Sequence, residues 1–114
     1  MNINKLIKET LKPIGVPVDF EVYKVYKGDE TTYITFSEYL QQGEVFSDDG
    51  ETATGHYIQV NVFSKKNYNK VVEQVKELLK KAGFIRKSEN GLYEPDTQIF
   101  HRVLRFFFIE NKEE

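Results

Sequence analysis

The stretch "GHYIQVNVFSKKNY", residues 55–68, decides how this chain is read. Ile58, Val60 and Val62 alternate with Tyr57, Gln59, Asn61 and Phe63, the period of two that puts successive side chains on opposite sheet faces. The strand hands over through Ser64, Lys65, Lys66 and Asn67 to a helix, and such joints are where many proteins hold phosphate. A phosphate loop needs glycines so that backbone N–H groups can approach the anion, and "SKKN" has none. Ser64 or Asn67 is better suited to capping the helix, and the stretch reads as a joint and not a site.

Downstream, Tyr68, Val71, Val72, Val75, Leu78, Leu79 and Ala82 fall on one helical stripe that Gly83 ends, which predicts a helix over 67–82 about 24 Å long. Val71, Val75, Leu78 and Leu79 are expected to pack on Ile58, Val60 and Val62. Upstream, Ile3, Leu6, Ile7, Leu11 and Ile14 predict a first helix over 2–12, ended by Pro13 and Gly15. Residues 16–26 alternate as a strand up to a Gly28-Asp29 turn, and 32–40 alternate as a second strand, so the two read as a hairpin. Residues 41–55, "QQGEVFSDDGETATG", read as a long acidic loop. After the second helix, Phe84 to Arg86 open a strand, Asn90-Gly91 signals a turn, and "QIFHRVLRFFFIE" is apolar on both faces. The last residues, 110–114, form a short charged tail.

The expected fold is therefore a single α/β (α+β) domain over 1–114, with a largely antiparallel sheet, two helices on one face, and the order α-β-β-β-α-β-β. Its 114 residues suit one modest core, and its 9 Phe and 7 Tyr supply much of the bulk. Cysteine is absent, which removes disulfides, thiolate zinc sites and cysteine nucleophiles. No apolar run approaches the roughly 20 residues of a membrane span, and Met1 to Lys5 lack the apolar stretch of a signal peptide. No membrane association is expected.

The formal net charge of −2 does not draw the whole chain to nucleic acid. The charges are unevenly placed: Glu44, Asp48, Asp49 and Glu51 stand in a segment without Lys or Arg, while residues 64–87 carry eight basic residues against Glu73 and Glu77. The carboxylates around Gly50 do not follow the D-x-[DN]-x-[DN]-G calcium pattern. His56 and His101 are not in H-E-x-x-H spacing, and no serine has a G-x-S-x-G elbow. The residues thus offer no catalytic, cofactor or metal signature, and an enzyme is not expected. Tyr23, Tyr26, Tyr33 and Tyr57, interleaved with Lys24 and Lys27, fit either an RNA-binding sheet face or a protein interface, and without the K/R-G-F/Y-G/A-F-V-x-F/Y pattern the interface is favoured.

"YITF" at 33–36, the 55–68 strand and joint, the helix to "LLKKAGF" at 78–84 and "YEPDTQIFHRVLRFFF" at 93–108 resemble the small tail completion, or tail terminator, proteins of long-tailed bacteriophages and prophages. The resemblance implies a virion-assembly protein that forms a ring, commonly a hexamer, on the head-proximal end of the tail tube. Its partners would be other copies of itself, the tail tube protein and the head connector, in the host cytoplasm during assembly and then in the virion tail. That family offers no active-site residues to carry over. Physics nominates Glu44, Asp48, Asp49, Glu51, Tyr57, Lys70, Lys80, Lys81, Phe107 and Ile109 as interface residues. An acidic segment lining the lumen would let the genome pass, so no stable duplex DNA binding is expected. A small nucleic-acid-binding module using the aromatic and basic sheet face is the alternative.

Overall fold

The computed structural model describes residues 2–21, 32–47 and 50–111, with 44–47 and 50–52 as backbone only. The elements run α1 Ile3–Leu11, a 3-10 turn Lys12–Ile14, β1 Val18–Phe20, β2 Thr32–Ser47, β3 Gly50–Ser64, α2 Asn69–Lys81, β4 Ile85–Glu94 and β5 Ile99–Asn111. They form one five-stranded sheet in the order β1-β2-β3-β5-β4. All strand pairs are antiparallel except β1 with β2. The expected α+β class, element order and single core are what the chain adopts.

Helix α1 starts because Asn2 Oδ1 accepts from the Lys5 backbone N–H at 3.0 Å, filling one of the free donors of the first turn. Helix α2 stops at Gly83, whose φ of 102° is the left-handed conformation open to glycine. The Phe84 N–H then turns back to Leu79 O at 2.9 Å. Both helices lie on one face, where Ile3, Ile7, Leu11, Val72, Val75 and Leu79 meet Ile34, Phe36, Ile58, Val60, Val62, Leu104 and Phe106. The three β3 residues are fully buried, as their alternation predicts.

Several expectations change. The buried stripe of α2 is Val72, Val75 and Leu79, while Leu78 is only partly buried and stands outside the core. The strand-to-helix joint works through turns: Asn67 Oδ1 accepts from the Asn69 N–H at 2.9 Å and Ser64 Oγ from the Lys66 N–H at 3.1 Å, but the capping position itself is Tyr68. Asn90-Gly91 makes no turn; β4 runs straight through it, and the chain reverses at 95–98, where Gln98 takes a φ of 60°. Of the strand expected over 16–26, the described part is Val18–Phe20, and it pairs with the next strand in parallel and not as a hairpin. Glu21, with a φ of 65°, breaks the extended run, and β1 lies parallel to β2. The stretch 22–31, with its expected strand end and Gly28-Asp29 turn, lies outside the described residues.

The largest correction falls on 41–55. Those residues are not a long loop: β2 runs to Ser47 and β3 starts at Gly50, with Gln41 paired to His56 and Gly43 to Thr54. Neither strand has to be apolar to persist, because the backbone ladder continues from a well-packed half and β5 stays paired to β3 as far as Asn111 opposite Ala53. The expected charged tail correspondingly begins later, since Glu110 and Asn111 are still in β5. The hairpin lengthens the molecule to 52 Å against 22 to 24 Å across.

Candidate functional site

The side of the sheet away from the helices carries no helix among the described residues. Its composition follows from strand parity: if Ile34, Phe36, Ile58, Val60, Val62, Leu104 and Phe106 face the helices, their neighbours face out. Across the sheet these form rows. At one end Tyr33 stacks on Phe63 with centroids 4.8 Å apart, and Phe63 on His101 at 4.1 Å. At the other, Tyr57 meets Phe107 at 4.8 Å and Tyr39 at 6.2 Å. A bulge between Glu38 and Leu40 pairs Leu40 with Tyr57, so exposed Leu40 and Ile85 extend this second row.

Between the aromatic rows lies a polar band. Asn61 Nδ2 donates to Thr35 Oγ1 at 3.2 Å, and Gln59 Nε2 donates to Asn61 Oδ1 at 3.0 Å. His101 Nε2, 3.1 Å from the same Oδ1, is then the donor. Burial lowers the His101 pKa, against the opposing pull of Glu94, which favours the neutral ring. Arg105 Nε donates to Gln59 Oε1 at 3.2 Å while its guanidinium lies 5.7 Å from the Tyr39 ring centroid. These bonds link Thr35, Gln59, Asn61, His101 and Arg105 into one network across β2, β3 and β5.

Two ionic clusters sit on the helix side. Buried His56 places Nδ1 2.5 Å from Glu38 Oε2 and Nε2 2.9 Å from Glu110 Oε1, joining β2, β3 and β5 at the base of the long hairpin. The His56 hydrogen bond holds the Glu110 carboxyl below its usual range. On the far edge Glu89 accepts from Lys76 of α2 at 3.0 Å and from Arg102 of β5 at 2.5 Å. Burial would raise the Glu89 pKa; the hydrogen bond from Lys76 and the Arg102 charge outweigh it, and the pKa is lowered. The second cluster borders a groove, to which its Lys76 contributes. An open groove between α2 and β4 is lined by Glu73, Lys76, Lys80, Phe84, Ile85 and Arg86, among others. Among the described residues no group of His, Asp and Glu is arranged to hold a metal ion, and no helix is long and apolar enough to cross a membrane.

Of the interface residues read from the sequence, Tyr57 and Phe107 are brought into contact on the open face, and Ile109 stands beside them opposite Gly55. Lys70, Lys80 and Lys81 are exposed on α2, Lys81 paired to Glu77 at 3.1 Å. Glu44 and Glu51 belong to the hairpin strands, while Asp48 and Asp49 lie outside the described residues. Sequence reasoning missed Glu38, Glu89, Arg102 and Glu110. Their signal was available: Glu38 keeps the parity of Ile34 and Phe36, and Arg102 and Glu110 that of Leu104 and Phe106, so each is a charge on an apolar face and needs a partner there.

The architecture is that of a small α+β domain whose two helices cover one sheet face, the other carrying no helix among the described residues. It is shared with a chain from the virion of a native gene transfer agent particle. That chain superposes with a TM-score of 0.61 at 11% identity, over 93% of this chain and 92% of the other. A chain from the sheath/tube terminator of an extracellular contractile injection system, in its extended state, aligns at a TM-score of 0.43 and 8% identity. It is matched over 96% of this chain and 56% of that one, too different in shape to bear on the fold. No protein-family model matches the sequence, and no curated protein is significantly similar to it.

Proposed function

We propose that this chain is a tail completion protein that assembles as a ring, a hexamer by the family resemblance, on the head-proximal end of a tail tube. There it ends tube growth and offers its outer surface to the head connector. The observation that carries the reading is the likeness of fold to a virion chain over nearly the whole of both chains. The sheet face away from the helices supports it: two aromatic rows around a hydrogen-bonded polar network suit burial against protein, where the aromatic area contributes. Such a ring leaves the acidic segment 44–51 to the lumen or to a neighbouring subunit.

A nucleic-acid-binding module is the second reading, and the ring geometry disfavours it. Bases stack on free aromatic faces, whereas Phe63 has Tyr33 on one side and His101 on the other. The test is to add the purified protein to polymerising tail tube protein and follow tube length by electron microscopy. A tail completion protein stops elongation at one end at sub-stoichiometric ratios. Unchanged growth removes the proposal.

A further inference from the structure

Strand β4 is open on three sides. It pairs only with β5, at the end of the sheet, and every residue from Ile85 to Glu94 is exposed except Glu89. Its outer N–H and C=O groups take no backbone partner among the described residues. Of the seven large apolar side chains left exposed among the described residues, four gather here. They are Ile85 at 59%, Leu92 at 50%, Tyr93 at 49% and Phe100 at 41%, the last with its ring centroid 4.7 Å from that of Tyr93. Leu92 lies opposite His101 and Ile85 opposite Phe107, so both aromatic rows of the sheet run out to this edge.

An edge strand is ordinarily protected from a second strand by proline, by a row of lysines, by bulges or by being very short. Strand β4 is ten residues long and contains no proline. Its one irregularity, at Lys87, leaves Ser88 to Glu94 in unbroken register. Two of its four charges, Arg86 and Glu89, are held to each other at 3.3 Å. The other two, Lys87 and Glu94, have no ion-pair partner among the described residues.

Opposite charges near opposite ends of the strand decide what fits beside it. An antiparallel copy of the same strand brings each Lys87 beside the other's Glu94, twice over, whereas a parallel copy sets like against like. The alternating donors and acceptors of the edge are matched by a strand and not by a helix. We infer that β4 of one molecule pairs antiparallel with β4 of a second copy, about a two-fold axis at Asn90, joining two five-stranded sheets into one. The contact uses the same patch twice and closes with two copies. It is independent of the proposed ring and describes the protein free of a tail tube, with its apolar edge covered.

The chain contains no cysteine, so a single introduced thiol reports on one place. Asn90→Cys puts a thiol at the axis, and Lys70→Cys puts one on the exposed side of α2 as the control. The unmodified protein is expected to sediment as a dimer with a micromolar dissociation constant. On mild oxidation by dissolved oxygen Asn90→Cys should form a disulfide-linked dimer at least about tenfold faster than Lys70→Cys, because the axis holds its two thiols together. Lys87→Glu and Glu94→Lys, each shown to be folded by far-ultraviolet circular dichroism, should each raise the dissociation constant about tenfold, and both in one chain should restore it. A monomer throughout the micromolar range overturns the inference and leaves the proposed function standing. So does a dimer in which Asn90→Cys links no faster than Lys70→Cys, or one indifferent to both charge reversals. Protection of β4 amides from hydrogen exchange that appears only when tail tube protein is added assigns the edge to that partner and removes the self-pairing.

Discussion

Glu89 Oε1 accepts from Lys76 Nζ at 3.0 Å, a bond that ties the edge strand β4 to helix α2 across the rim of the core. The carboxylate is mostly shielded, and its other oxygen accepts from Arg102. Replacing Glu89 by Gln removes the charged acceptor that Lys76, Arg102 and Arg86 share, and leaves Lys76 with Glu73. The variant is expected to lose about 1 to 3 kcal/mol of stability, read from urea unfolding. An unchanged midpoint would contradict the role given to this bond.

The same carboxylate sets a pH dependence. Its pKa lies below the ordinary carboxylate value in the folded protein. Its contribution is therefore complete above the unfolded value and is lost as pH falls through the lowered folded one. The stability gap between the unmodified protein and Glu89→Gln is expected to be constant near neutrality and to close on acidification below about pH 4. A gap that widens in acid would reverse the sign of the argument.

Adjacent leucines on α2 separate the buried stripe from its flank. Leu79 is fully buried among Val75 and the sheet residues, whereas Leu78 is outside the core. Leu79→Ala should cost about 2 to 5 kcal/mol, and Leu78→Ala clearly less. Equal losses on thermal or urea unfolding would show the helix rotated from the orientation described.

On the sheet face away from the helices, Phe107 meets Tyr57, and no helix among the described residues covers the pair. Phe107→Ala should cost about 1 kcal/mol or less in the isolated protein, the range of a cross-strand pair. It should weaken capping of tail tubes far more. A variant that unfolds easily yet caps normally would mark this face as structural only.

Much of the fold was legible because periodicity reports burial directly. Ile58, Val60 and Val62 alternate and are buried together, and α2 keeps its apolar stripe between a polar joint and Gly83. The hairpin over 41–55 was not legible, because Gln41, Gln42, Gly43 and Glu44 carry no apolar alternation. What holds them in strands is backbone pairing to distant residues. Asn90-Gly91 misled for the complementary reason: a dipeptide suited to a turn can also be passed through when a neighbour such as β5 supplies a ladder. Of the interface candidates, the Tyr57 and Phe107 contact followed from two-sided apolar character. The ionic partners of Glu89 and His56 depend on which strands become neighbours, and single-strand patterns do not encode that. The lysine-rich stretches were visible as composition, but only the fold brings α1 and α2 side by side.

The most direct test of the tail-completion reading is to locate the chain in an assembled tail. Antibody-gold labelling or cryo-electron microscopy of tails carrying an affinity-tagged copy of the protein reads its position along the tube. The account predicts a single ring of density at the head-proximal end and none along the shaft. Label spread along the tube, at the distal tip, or absent from assembled tails would contradict it.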